Sequence, residues 1–305
     1  MFKSVLITGA NAGLGKESAR QFAVSGKVDK IILGCRNLEK ANKAKEELES
    51  STGKKIFEIL QIDVANLDSV RSAVDSLKDP IEGLVMNAGG MGGENFNNLT
   101  KYGATEQFTA NVLGHYVLLK ELLKTGKLTK VALYAGSEAA RGVPKMLLKK
   151  PSFKNSSVED FKEVIEGNRF KGVKDPLVPY GPTKYIAALW ISYMSRQYKN
   201  IKFITISPGS TSGTDVGKTL SPFMKLMFTV VGPKLLPVFK LMHSVEKGAA
   251  RYLEGLFDPK YESGKFYASK ASILTGPLVE QTSIFPDLAN ETFQENAVKA
   301  IESYI

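Results

Sequence analysis

The 305-residue chain carries one cysteine, Cys35, and two histidines, His115 and His243. One thiol closes no disulfide within the chain and builds no cysteine metal site. Two imidazoles exclude a histidine-rich one, so no metal is expected. Cys35 ends an apolar run and reads as a packed thiol of a reducing compartment. Long hydrophobic runs are also missing. The most apolar stretch, 221–243, is cut by Pro222, Lys225, Pro233, Lys234, Pro237 and Lys240, which excludes an uninterrupted transmembrane helix. Weak peripheral contact with a membrane surface stays open for it. No targeting segment precedes the first apolar run, so a cytoplasmic location is expected. Acidic residues are the minority, 31 against 41 Lys and Arg, for a net charge of +10. The lysines are scattered and no nucleic-acid motif accompanies them. The excess therefore reads as a solvated surface that favours anionic ligands, and no nucleic-acid partner is expected.

Apolar runs alternate with amphipathic segments along the whole chain, the pattern of parallel strands joined by crossover helices. Strands are expected at 4–8, 30–34, 56–62, 83–86, 130–134 and 202–206, with a seventh near 265–268. Helices are expected at 14–24, 38–49, 67–77, 104–123, 182–198, about 245–257 and near 292–305, with Asn37 and Asn66 as N-caps. The implied fold is α/β: a doubly wound parallel sheet of about seven strands, helices on both faces, in a single domain over 1–305. Ligands bind such sheets in the crevice outside the carboxyl ends of the strands. Two segments break the alternation, an insertion at 139–178 and an excursion at 210–244. Both leave from those strand ends and read as substrate wall and lid.

Gly9, Asn11, Gly13, Leu14 and Gly15 follow the first strand and open a helix. Glycines there permit a tight turn and close backbone approach to a pyrophosphate, whose charge faces the helix N-terminus. The second strand ends Gly34-Cys35-Arg36. The carboxylate that would hold the ribose hydroxyls of NAD is missing, and Arg36 with Lys40 suits a 2′-phosphate, so NADPH/NADP+ is the expected cofactor. Asp63 and Val64 end the third strand, where a polar side chain can meet the adenine edge. Asn87, Ala88 and Gly89 end the fourth. Their small size lets backbone lie against a cofactor, while Asn87 can equally serve only to tie neighbouring strands. Ser137 ends the fifth. Tyr180 and Lys184, four apart, share one face of a helix. A free phenol has a pKa of about 10, too high for efficient proton exchange near neutrality, and an adjacent ammonium and the nicotinamide charge are expected to lower it. Ser137 can then orient a carbonyl oxygen.

With these residues assembled, the chain resembles the short-chain dehydrogenase/reductase superfamily, a Rossmann-type fold, over nearly its whole length. Thr8-Gly-x-x-x-Gly-x-Gly15, Asn87-Ala-Gly89, Ser137, Tyr180-x-x-x-Lys184 and Pro208-Gly209 stand in the family's order. The resemblance implies that Tyr180 is the general acid/base, that Lys184 also contacts the nicotinamide ribose, and that Ser137 polarises the substrate oxygen. It further implies that Asn111 holds a water in a proton relay behind Lys184. Within the superfamily the chain resembles the retinol dehydrogenase and light-dependent protochlorophyllide reductase branch. The resemblance lies in Gly34-Cys35-Arg36-Asn37 with Lys40, in Asn111-Val112-Leu113-Gly114-His115-Tyr116, and in the segment from Asp258-Pro259 to Phe285. His115 reads as a structural helix residue. Two positions depart from the pattern. Ser210 stands where the photoenzymes carry a cysteine after Pro-Gly, which counts against pigment photoreduction. Gly213 stands where a Thr commonly holds the carboxamide, leaving Thr211, Ser212 and Thr214 as substitutes.

The expected activity is NADPH-dependent interconversion of a small apolar carbonyl compound and its alcohol, with Phe223, Met224, Leu226, Met227 and Phe228 of the lid facing the substrate. The alternatives are light-driven pigment reduction and NADPH sensing without turnover. Both a monomer and a homo-oligomer fit, since the long C-terminal tail can cover surfaces on which relatives associate.

Overall fold

The computed structural model describes residues 1–144, 148–211, 242–271 and 273–305. Eight strands form one sheet in the order β3-β2-β1-β4-β5-β6-β7-β8. They are β1 (Phe2–Thr8), β2 (Val28–Cys35), β3 (Phe57–Gln61), β4 (Ile81–Met86), β5 (Leu128–Ala135), β6 (Lys202–Ile206), β7 (Phe266–Ala268) and β8 (Val279–Glu280). All neighbours pair in parallel except β7 with β8. The two-residue β8 is the strand beyond the seven expected. It is too short to show a period of two, and Tyr267–Glu280 and Ala268–Val279 pairing alone defines it.

Side chains alternate across the sheet, and the alternation sorts them into two cores. Val5, Ile7, Ile31 and Leu33 join Phe22 of α1 (Gly13–Ser25), Leu48 of α2 (Leu38–Thr52) and Tyr252 of α7 (Val245–Phe257). Leu6, Ile32 and Leu84 face the other way. They meet Val70 of α3 (Leu67–Ser76), Leu118 of α4 (Gly114–Lys124), Trp190 of α6 (Leu177–Gln197) and Ile301 of α8 (Glu291–Glu302). Strands buried on both faces are the reason these runs are continuously apolar. Asn37 and Asn66 cap their helices as expected: Asn37 Oδ1 accepts from Lys40 N–H at 2.8 Å, and Asn66 Oδ1 from Asp68 N–H at 3.1 Å.

The expected helix at 104–123 is divided. A short turn, Glu106–Phe108, passes through a π-helical turn, Thr109–Leu113, before α4 begins. Gly114 N–H reaches back to the Thr109 carbonyl, five residues away, which marks the slip in the ladder. Gly114 is where α4 crosses the end of β3. A Cβ there would lie 1.7 Å from the Val64 carbonyl oxygen, so no larger residue fits.

The insertion at 139–178 also contributes to the core. It contains α5 (Val158–Ile165), capped by Ser157, whose Phe161 and Ile165 are fully buried among α6 and α8. Its charge masked an amphipathic helix that completes the core. Most of the expected lid, 221–243, lies outside the described residues, and so do Phe223, Met224, Leu226, Met227, Phe228, Ser212, Gly213 and Thr214. No helix among the described residues is long and apolar enough to cross a membrane.

Candidate functional site

β1 and β4 are neighbours whose connections run to opposite sides of the sheet, and the crevice opens at their carboxyl ends. It is a cleft of about 1150 Å³ among the described residues. Its walls bring together Gly9, Asn11, Gly13, Leu14, Arg36, Asp63, Val64, Asn87, Ala88, Gly89, Asn111, Ser137, Tyr180, Lys184, Pro208, Gly209 and Thr211. Of the residues expected in the site, Gly15 and Lys40 are not on this wall. Gly15 acts from behind it. A Cβ on Gly15 would lie 2.3 Å from the Gly9 carbonyl oxygen, so only glycine lets α1 start this close under the turn. Lys40 is exposed on the first turn of α2, which leaves Arg36 alone at the rim.

Gly9 turns the chain out of β1 at φ +67°. α1 then begins at Gly13, and Ala12 before it gives no side-chain cap, so the first N–H groups of the helix are unclaimed by any side chain among the described residues. The floor is fixed by Thr8, whose hydroxyl oxygen accepts from Asn87 N–H and Ala88 N–H, each at 2.9 Å. The Asn87 side chain donates to the Thr8 carbonyl at 2.9 Å, tying β4 to β1. Arg36 is exposed and makes no ion pair among the described residues. Asp63 Oδ1 accepts from Ala65 N–H at 3.0 Å, which holds the turn after β3. Cys35 is buried, as expected, and burial pushes its thiol up to about 11.

At the other end of the cleft, Tyr180 and Lys184 lie one turn apart on α6, with the Lys184 ammonium 5.5 Å from the Tyr180 ring centre. Burial pushes the Tyr180 phenol up to about 12, against a smaller downward pull from its hydrogen bond with Ser137. Burial alone brings Lys184 down to about 7. Desolvation is thus the largest influence on both groups. Lys184 donates to the Ala135 carbonyl at 3.0 Å and to the Tyr134 hydroxyl at 3.2 Å. Ser137 lies two residues beyond β5 and starts a 3-10 turn, accepting from Ala139 N–H at 3.2 Å.

Asn111 sits in the π turn. Its side chain donates to the Gly90 and Gln107 carbonyls at 2.7 and 2.8 Å and accepts from Gly90 N–H at 3.1 Å. That pins the glycine loop after β4. The Asn111 carbonyl accepts from the Tyr134 hydroxyl at 2.9 Å and faces His115 Nδ1 at 3.0 Å. His115 is fully buried and its Nε2 meets the Thr8 hydroxyl at 2.9 Å, the structural placement expected of it.

Several site residues escaped sequence reasoning. Glu138 follows Ser137 and is buried, accepting from Ser207 Oγ at 2.5 Å and from Ser269 N–H at 3.1 Å. Arg251 of α7 donates to the Ser207 carbonyl at 3.1 Å and the Gly276 carbonyl at 2.8 Å. Together they brace the loop that carries Pro208 and Gly209. A charged residue beside a strand end was the only signal for Glu138. Nothing local announced Arg251 or Tyr134.

A doubly wound sheet with a glycine turn at its crossover defines a dinucleotide-binding fold, and comparison with known proteins places the chain within that class. Residues 3–136 match the family model described as short chain dehydrogenase. A short-chain dehydrogenase/reductase of Armillaria gallica is 30% identical over 229 residues, covering 74% of this chain and 70% of that protein. The chain belongs to the short-chain dehydrogenase/reductase family, whose members bind a nicotinamide cofactor. The chloroplastic protochlorophyllide reductase of Chlamydomonas reinhardtii is 26% identical over 299 residues, 92% of this chain and 72% of that one. The WW domain-containing oxidoreductase of Gallus gallus is 34% identical over 145 residues, and the chain spans only 34% of its length, 46% of the chain being matched. Among solved structures, an NADPH-bound carbonyl reductase from chicken fatty liver aligns with TM-score 0.60 at 18% identity, over 90% of this chain and 99% of that one.

Proposed function

We propose that the protein is an NADPH-dependent reductase that interconverts an apolar carbonyl compound and its alcohol. The observation that carries this reading is the convergence of Ser137, Tyr180 and Lys184 on the cleft that the glycine turn and Arg36 also line. The uncapped start of α1 and the backbone of Gly9 to Leu14 suit a pyrophosphate, and the Arg36 guanidinium suits a 2′-phosphate. Bound there, the cofactor supplies hydride to the carbonyl carbon. Ser137 orients the carbonyl oxygen, and Tyr180 gives it a proton. A phenol held near 12 is protonated at neutral pH, which fits the reductive direction. Lys184, held near 7, exchanges its own proton in the working range and serves the nicotinamide ribose. Met91, Val143, Leu148, Leu177, Met242 and Leu274 make the substrate end of the cleft apolar.

Reduction of a pigment double bond is the second reading. The match to a protochlorophyllide reductase over nearly the whole chain favours it, and Ser210 in place of cysteine counts against it. NADPH consumption in the dark, measured across a panel of aldehydes and ketones, tests the first reading. Turnover of protochlorophyllide only under illumination, with the panel untouched, replaces it by the second. NADPH binding with no turnover of either leaves a sensor.

A further inference from the structure

Lys184 is anchored by two protein groups of β5. Its ammonium donates to the Tyr134 hydroxyl at 3.2 Å, and that hydroxyl donates to the Asn111 carbonyl at 2.9 Å. A backbone carbonyl has two lone pairs. His115 Nδ1 lies 3.0 Å from the same oxygen, so Tyr134 and His115 both bond to it. Since a carbonyl can only accept, Nδ1 carries the proton, and Nε2 of the neutral ring accepts from the Thr8 hydroxyl at 2.9 Å. Lys184, Tyr134, Asn111, His115 and Thr8 thus form one hydrogen-bonded row from the chemical end of the cleft to the glycine turn. Tyr134, Asn111, His115 and Thr8 are at most 1% exposed, and Lys184 is 4% exposed.

We propose that Tyr134 is a positioning residue for the reaction: its hydroxyl, held by the Asn111 carbonyl, fixes the Lys184 ammonium and sets its protonation. This rests on the reading of Lys184 and Tyr180 given above. The row cannot pass a proton beyond Tyr134, because the Asn111 carbonyl has none to hand on. Tyr134 therefore holds and tunes Lys184. The groups that face Lys184 support this. Tyr180 lies on its own helix, Tyr134 on β5 and His115 on α4, and no carboxylate bonds to it among the described residues. Among the described residues the Tyr134 oxygen is thus the one side-chain acceptor that stabilises the charged amine, beside the Ala135 carbonyl. Its phenol is raised well above its ordinary value by burial, so it stays a neutral acceptor throughout the working range.

Tyr134→Phe removes the hydroxyl and keeps the ring against Trp190, 5.6 Å away between centres, and under the Lys184 ammonium at 4.8 Å. Two readouts separate positioning from bulk structure. The first is the pH dependence of kcat on a carbonyl substrate. Loss of the acceptor should shift the limb that reports Lys184 to lower pH by about one unit and cut kcat about tenfold or more, with KM for the carbonyl little changed. The second needs no turnover: NMR titration of the labelled lysine amines in the unmodified protein and the variant should show the same downward shift for Lys184 alone. Unchanged titration of Lys184 in a folded Tyr134→Phe protein overturns the proposal. So does a fall in kcat that leaves the pH profile in place. If the unmodified protein reduces no carbonyl, the reading of the reaction fails, and the lysine titration still decides the role of Tyr134. If Tyr134→Phe does not fold, Tyr134 is structural and the proposal is overturned.

Discussion

The Arg251 guanidinium and the Glu138 carboxylate lie 3.6 Å apart with both side chains 6% exposed, directly under the loop that carries Pro208 and Gly209. A buried pair of this kind gives little net stability over apolar packing, yet removing one member leaves an uncompensated charge. Glu138→Ala should destabilise the protein by about 3 kcal/mol in denaturant melts, because Arg251 then keeps only neutral acceptors. It should also weaken NADPH binding, since Ser207 loses its carboxylate partner and the loop its brace. A change below about 0.5 kcal/mol would mean that solvent reaches Arg251 and that the pair does not hold this loop.

His115 gives a stability that depends on pH. Burial lowers its folded-state pKa from 6.5 to about 4. The unfolded state therefore binds the proton first, and the contribution is fully present above pH 6.5 and is lost as pH falls toward 4 and below. The span corresponds to about 3 kcal/mol. His115→Gln lacks the titration, so its stability should fall less steeply than that of the unmodified protein between pH 6.5 and 4 in parallel chemical melts. Parallel curves would show that the imidazole is solvated or charged in the native state.

The proposed preference for NADPH places the choice of cofactor on Arg36. Arg36→Ala should weaken NADPH binding about tenfold to a hundredfold, the range of one charge-assisted hydrogen bond, and leave NADH binding unaltered. Lys40→Ala should have a smaller effect, because Lys40 is not on the cleft wall. Titration of both nucleotides by fluorescence separates the cases. Equal or tighter binding of NADH by the unmodified protein contradicts the assignment.

What could be read from the sequence is what is encoded locally. The Gly9–Gly15 turn, the Asn37 and Asn66 caps and the continuous apolar strands each need only a few adjacent residues, and the expected strand and helix centres lie where the structure has them. What could not be read is encoded between distant residues or in backbone geometry. Tyr134 meets Lys184 across fifty residues of sequence. Arg251 finds Glu138 only because α7 packs under β5 and β6. The π turn at Thr109–Leu113 is a slip in hydrogen bonding with no residue signature of its own. The burial of Tyr180 is hidden for a related reason: adjacency to Lys184 is visible at a spacing of four, while burial is a property of the fold.

The proposed reaction rests on Tyr180, and one comparison tests it most directly: NADPH oxidation by the unmodified protein and by Tyr180→Phe, in the dark, on the best substrate of a carbonyl panel. The phenyl ring preserves packing beside Ser137 and Lys184 and removes only the transferable proton. Turnover should fall by at least a hundredfold while NADPH binding stays within about threefold, as expected when a general acid is lost and the cofactor seat is kept. A Tyr180→Phe protein that retains its rate would contradict the account.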